Sequence, residues 1–413
     1  MSVAALAGMM SLAACSSDDI VSPADNDVQT IKIAVASTGD KSTRSRDLNS
    51  EEPNQNIENV AVVIRDKANT VVYQKVITDW NTASSIYTDN GHGRECTLKL
   101  EGAERLNAGE YTITAVGYTA ADFKNNTIES ATGVVAGNFT AEVADGKAAQ
   151  EAFAGESSIK LLEDYAAINP SVTLHRQVAG YYGYFTSIPV EVNNKTVTNV
   201  RLVARSKNTK LTYGNFNSNF TTTTNSDVMY VVNGSEPPTT KDAKFNGSAD
   251  NDAYTLYNIR VADWFTQGDT NKDGILDEKD DWTNALAGKG YLTYQKGTIF
   301  AGGFAVPFAA ANAATLELQL LDVNGDILKS WTVAMATPQP AGQGVDGVAL
   351  TVPETAQNFS FFRNHMYTLG KKMDNTNTPG TNPDQPEPLD KSQSMILRVN
   401  DNWEVINRMT IGD

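Results

Sequence analysis

The sequence predicts an all-β protein of antiparallel β-sandwiches in two domains. Three observations support this. Apolar residues recur at every second position in short runs, the period of a strand with one buried face. Turn residues separate the runs at hairpin spacing, most plainly Asn324-Gly325 between Leu316, Leu318, Leu320 and the run Ile327 to Ala334. The chain has 413 residues, 40% of them hydrophobic, which is too long for one ordinary domain and enough for two cores.

The elements follow in chain order. Val3 to Ala14 is a run of apolar and small residues too short to span a bilayer. It ends in Leu12-Ala13-Ala14-Cys15, which resembles a bacterial lipobox, so residues 1–14 are expected to be a signal peptide and Cys15 the acylated first residue. Met1-Ser2 supplies no positive charge, and a start further upstream would provide it. Ser16-Ser17-Asp18-Asp19 resembles the acidic tag that directs such lipoproteins to the outer face of the outer membrane. Ile31, Ile33 and Val35 then alternate as one strand, and the polar stretch after it contains Arg44 and Arg46.

Val60, Val62 and Ile64 alternate, Asp66 to Thr70 turn, and Val72 to Ile77 return as a hairpin. Leu106-Asn107-Ala108-Gly109-Glu110-Tyr111 reads as a tight turn feeding another strand, with the tyrosine packed at its corner. Val172 to Ala179 and Thr196 to Ala204 are further strands, and the domain junction is expected near residue 190. Residues 374 to 393 are rich in Pro, Asn, Thr and Asp and can build no core, so they read as an extended, partly polyproline-II linker or a long loop. Apolar character returns at Met395, Leu397, Val399, Trp403 and Val405. That segment has two destinations: an edge strand of its own chain, or a strand given to another chain.

The chemistry in the sequence is sparse. The net charge of −16 disfavours nucleic acid and anionic lipid. The three histidines, His92, His175 and His365, are scattered, no His-Glu-x-x-His or Gly-x-Ser-x-Gly occurs, and no enzyme is expected. Cys96 is expected to be a small buried hydrophobe. The most specific motif is Asp269 to Asp280. Oxygen-bearing side chains fall at Asp269, Asn271, Asp273, Asp277 and Asp280, the Ile275 carbonyl takes the seventh position, and Gly274 allows the sharp turn at the sixth. That is the spacing of an EF-hand-type calcium loop, with Asp in place of the usual final Glu. Calcium in a structural role is expected there.

Taken in order, these pieces resemble the fimbrillin family of Bacteroidales, subunits of type V pili. The resemblance rests on Leu12 to Cys15, on Ser42-Thr43-Arg44-Ser45-Arg46, on Leu174-His175-Arg176-Gln177-Val178-Ala179, on Phe362-Arg363-Asn364-His365-Met366-Tyr367-Thr368-Leu369, and on the terminal Trp403 segment. It implies two transthyretin-like sandwiches with a C-terminal extension and export as a lipoprotein to the outer membrane and cell surface. It also implies cleavage after Arg44 or Arg46 by a trypsin-like, Arg-specific protease, then polymerisation into a fimbria with neighbouring copies or related subunits, serving adhesion to a host or bacterial receptor. The implied layout is a propeptide with a removable strand over 15–46, sandwiches over 47–190 and 191–373, and a linker with donor strand over 374–413. The alternative is a surface lipoprotein that binds a glycan or host ligand without polymerising.

Overall fold

The computed structural model describes residues 19–20, 29–35, 57–87, 93–119, 123–134, 139–144, 147–214, 231–245, 252–287, 294–310, 315–335, 360–370, 372, 384–391 and 395–400. The protein is all-β. Helix among the described residues is confined to the single turn Trp80–Ala83 and two 3-10 turns, Gly102–Glu104 and Val261–Asp263.

Two folded sheets hold most strands. In the first, Val71–Ile77, Asn59–Asp66, Gly109–Tyr118 and Phe153–Leu161 lie side by side as one layer. Ser171–Arg176, Gln29–Val35, Gly93–Leu100 and Ser85–Tyr87 form the other. The layers join at a corner where Phe153 pairs with Arg176 and Ala154 with His175. One core lies between them: Val60, Val62, Ile64, Ile113 and Ile159 from one layer meet Ile31, Ile33, Leu98, Val172 and Leu174 from the other. The second sheet repeats the plan. Tyr254–Arg260, Asn199–Ala204, Leu316–Leu321 and Ile327–Met335 form one layer; Met395–Asn400, Met366–Leu369, Ala179–Thr186 and Thr298–Ala305 form the other.

The hairpin expected over residues 57–77 is present. Asn69 turns it with φ 66°, and Asp66 Oδ1 accepts from Thr70 N at 2.8 Å. Its strand Asn59–Asp66 is buried on both faces, however, because Ala61 and Val63 pack into a larger core shared with the second sheet. At Asn107–Gly109 the chain bends at Ala108 and enters the strand at Gly109 without the expected tight glycine turn, and the Tyr111 hydroxyl donates to Asn107 O at 3.1 Å. The chain passes from the first large sheet to the second between Arg176 and Ala179, ahead of the position near residue 190 expected from sequence. A smaller sheet of Phe123–Lys124, Thr140–Val143, Lys210–Thr212 and Gly234–Ser235 joins residues from either side of that passage.

Candidate functional site: two inserted strands, a loop and a cleft

Most neighbours in the sheets are antiparallel, as hairpin connection requires. Gln29–Val35 and Met395–Asn400 are among the strands that have one antiparallel and one parallel neighbour. Gln29–Val35 lies antiparallel to Gly93–Leu100, from Gln29 opposite Leu100 to Ala34 opposite Glu95. On its other side it runs parallel to Ser171–Arg176, from Lys32 opposite Ser171 to Val35 opposite Leu174. Neither partner is its neighbour in sequence, so no hairpin turn lays it beside either of them. Its alternation does what the sequence predicts, with Ile31 and Ile33 fully buried. Thr30 N donates to Ile168 O and Lys32 N to Pro170 O, both at 2.9 Å. The Lys32–Glu95 ion pair at 2.6 Å is partly exposed and worth at most about 1 kcal/mol.

Sequence reasoning missed Gln29. Its amide is fully buried and donates from Nε2 to Leu106 O at 3.0 Å and Ala166 O at 2.9 Å, while Oε1 accepts from Leu106 N at 2.7 Å. A single polar residue at the start of an alternating run signals nothing by itself.

Met395–Asn400 is inserted in the same manner. It runs parallel to Ile327–Met335, with Val333 opposite Met395, and antiparallel to Met366–Leu369, with Met366 opposite Asn400. Met395, Leu397 and Val399 therefore lie within the second sheet of their own chain. Cys15, Arg44, Arg46, Trp403 and Val405 lie outside the described residues. Cys96 sits opposite Ile33, half-buried against the first core, and burial pushes its thiol up against the opposing pull of Lys75.

The structure brings together two sequence segments that periodicity could not connect. Asn364 N donates to Val178 O at 2.8 Å and Gly180 N to His365 O at 2.9 Å, so the Leu174–Ala179 and Phe362–Leu369 segments meet at the start of the second sheet. Beside them, Arg176 and Glu151 form a fully buried ion pair at 2.7 Å, with the guanidinium over the Phe153 ring.

The Asp269–Asp280 loop is tightly wound. Asp269 accepts from Lys272 N at 2.6 Å and Gly274 N at 2.8 Å, and Gly274 has φ 84°, a region that favours glycine. Asp273 accepts from Ile275 N at 3.0 Å, and Ile275-Leu276 pairs with Ile188-Pro189 to fasten the loop to the domain. Burial pushes the Asp280 carboxyl up, but hydrogen bonds from Asp277, Thr270 and Asn271 outweigh it and hold the group below the usual carboxylate range. Lys279 Nζ stands 3.1 Å from Asp277 and 3.4 Å from Asp273. Among the described residues, no three acidic, His or Cys side chains converge as a metal-holding group. The residue types suit calcium. Ligation would displace the Lys279 ammonium and exchange amide donors on Asp280 for the ion.

A cleft of about 500 Å³ lies elsewhere in the second half, lined by Arg205, Lys207, Asn208, Lys241, Tyr254 and Phe308 among others. Lys207 Nζ donates to Thr255 O at 3.3 Å, and burial holds its amine below the usual lysine range against the pull of Asp242.

No family model matches this sequence, and no curated protein matches it. Solved structures similar to it include a putative adhesin from Bacteroides ovatus, at 12% identity and TM-score 0.40 over 84% of this chain and 88% of that one. A fimbrial assembly protein from Parabacteroides distasonis is similar at 14% identity and TM-score 0.34, covering 84% and 92%. The fimbrial anchor protein Mfa2 from Porphyromonas gingivalis is similar at 11% identity and TM-score 0.36, covering 83% and 90%. These are likenesses of arrangement at low identity, and the roles named belong to those proteins.

Proposed function

We propose that this chain is a structural subunit of a cell-surface fimbria, anchored as a precursor through Cys15 and assembled by exchange of its inserted strands. The observation that supports this reading is the placement of Gln29–Val35. It is held between two strands of opposite direction, and the polar stretch after it carries Arg44 and Arg46. Cutting there by a trypsin-like protease would free the strand to leave. Its departure would open a slot with two unpaired edges and an apolar floor, and both are costly to leave open. Burial of Ile31 and Ile33 alone is worth about 3–6 kcal/mol before entropy, so the slot favours a replacement strand.

The Met395–Asn400 strand of a neighbouring copy is the proposed replacement, since Met395, Leu397 and Val399 alternate in the same way. Donation withdraws it from the second sheet of its own chain. Backbone pairing lost in the donor is regained in the acceptor, and proteolysis removes the competing strand. A structural calcium at Asp269–Asp280 is part of the same proposal.

Limited trypsin cleavage of the purified chain tests assembly. The expected result is cleavage after Arg44 or Arg46 followed by ladders on a gel and ordered filaments in electron micrographs. A chain truncated before Ser394 should be cut but form no filament. Ordered filaments from that truncated, cleaved chain would refute the donor assignment. For the anchor, a Cys15→Ala precursor should take up no labelled fatty acid, and label persisting in it would refute acylation there.

The cleft lined by Arg205, Lys207 and Lys241 favours a second reading, a surface protein that binds an acidic glycan. The cations would meet the carboxylates of such a glycan. A glycan array separates the two: cleft-dependent binding by an intact monomer that never polymerises after cleavage supports the second reading alone.

A further inference from the structure

A lysine and an aspartate are buried together where the chain leaves and rejoins the second sheet. Met366–Leu369 runs parallel to Ala179–Thr186, with Gly180 opposite Met366 and Gly183 opposite Leu369. Farther along the same strand, Phe185 and Thr186 pair in the same sense with Glu387 and Pro388. Two pieces of chain thus follow one line along one partner. Lys372 stands just after the first piece and Asp384 just before the second.

Their side chains are each 2% exposed. Lys372 Nζ lies 3.0 Å from Asp384 Oδ2 and 3.2 Å from Oδ1. The Tyr184 hydroxyl donates to Oδ2 at 3.1 Å. The Tyr184 and Tyr294 rings flank the ammonium at 5.9 and 5.7 Å, and Lys372 N donates to the Tyr182 hydroxyl at 3.1 Å. The backbone is fixed on both sides: a Cβ at Gly370, whose φ is 73°, would strike Tyr184 O at 2.3 Å, and fully buried Leu389 donates its N–H to Thr186 O. A charged pair sealed among aromatic rings bears a large desolvation cost. One way to relieve it is to lose both charges.

We propose that Lys372 and Asp384 condense to an intramolecular amide. A proton passes from Nζ to the carboxylate across the existing hydrogen bond and leaves a neutral amine facing a neutral acid. A turn of the carboxyl about its soft Cβ–Cγ bond presents its face to the amine. The Nζ lone pair forms the N–Cγ bond, the Tyr184 hydroxyl steadies the charge developing on Oδ2, and the departing oxygen takes its second proton from Nζ as the Cγ–O bond breaks. The balance is one ammonium and one carboxylate giving one amide and one water, with no change of oxidation state. Holding the two groups at contact distance replaces a bimolecular step by an intramolecular one, which carries effective molarities of roughly 10⁵–10⁸ M when orientation is right. Burial, opposed by hydrogen bonds with Thr298 and Gln295 and helped by the Asp384 carboxylate, pushes the Tyr184 hydroxyl above the usual tyrosine range, so it remains a proton-bearing donor.

The test is the mass of the full, denatured chain. The wild-type chain is expected to weigh one water less than its sequence, and a proteolytic map should yield the Lys372 and Asp384 peptides as one branched species. Lys372→Arg should restore the full mass. Tyr184→Phe, which keeps the ring, should lower the linked fraction at a fixed time after synthesis. A wild-type chain at full mass with the two peptides separate would overturn the proposal without any variant having to fold. A water loss that persists in Lys372→Arg would also overturn it, since it would place the dehydration elsewhere, for example at Asp273-Gly274.

Discussion

Replacing Gln29 by leucine should loosen the first strand without emptying its space. Leucine nearly matches the glutamine side chain in volume, so the cavity contribution is small. What disappears is the set of three hydrogen bonds to Leu106 O, Ala166 O and Leu106 N, all made by a side chain with no exposed surface. Each buried group left without a partner costs about 1–3 kcal/mol, and partial rehydration brings the sum to about 3 kcal/mol. If that cost falls on the strand rather than on the whole domain, local release becomes roughly a hundredfold more frequent. Hydrogen exchange read by mass spectrometry reports it directly. Peptides covering Gly93–Leu100 and Ser171–Arg176, the two strands that flank it, should lose protection by about two orders of magnitude. Peptides covering Asn59–Asp66 in the opposite layer should change little. Equal loss of protection in both layers, or none in the flanking strands, would refute the reasoning.

The other predictions concern charges. Asp269→Ala combined with Asp273→Ala should abolish any rise in Tm on adding calcium; a rise equal to that of the parent chain would remove calcium from this loop. Glu151→Ala should cost about 3–5 kcal/mol in urea denaturation because it leaves Arg176 buried without its carboxylate, whereas Glu151→Leu with Arg176→Met should recover most of that loss. Asp280 has a folded-state carboxyl below its ordinary value, so its contribution is present above about pH 4 and lost as pH falls through the folded value. Asp280→Asn should therefore flatten the acid limb of a plot of Tm against pH, and a limb of unchanged slope would count against this account.

The all-β class and the hairpins were legible because period-two alternation and turn residues are local signals. Asn59–Asp66 shows where that reading stops. Val60, Val62 and Ile64 gave one buried face, but Ala61 and Val63 are buried as well, since a second core covers the other side. Nothing within eight residues can report a layer built from Tyr118, Phe139 and Leu211. The passage between the sheets was illegible for a different reason. Ser171–Arg176 runs into Ala179–Thr186 with only Gln177 and Val178 between them, so no change of composition marks it. The buried pairs Glu151–Arg176 and Lys372–Asp384 were hidden among 49 acidic residues, most of which need no partner. At the assembly site, the strand and its apolar face could be read, but not the parallel neighbour or the Gln29 clamp, because both depend on residues more than seventy positions away.

The insertion of Gln29–Val35 also sets a timetable for folding. Its antiparallel partner Gly93–Leu100 is made first, and its parallel partner Ser171–Arg176 only much later. At synthesis rates of 5–20 residues per second the second partner follows the first by roughly four to fifteen seconds. Pairings this distant in sequence give a high contact order and slow closure. Until then Ile31 and Ile33 face an unfinished layer, and the open edge of the strand is available to any other chain at the same stage. A nascent chain arrested before residue 171 would hold this strand on one side only.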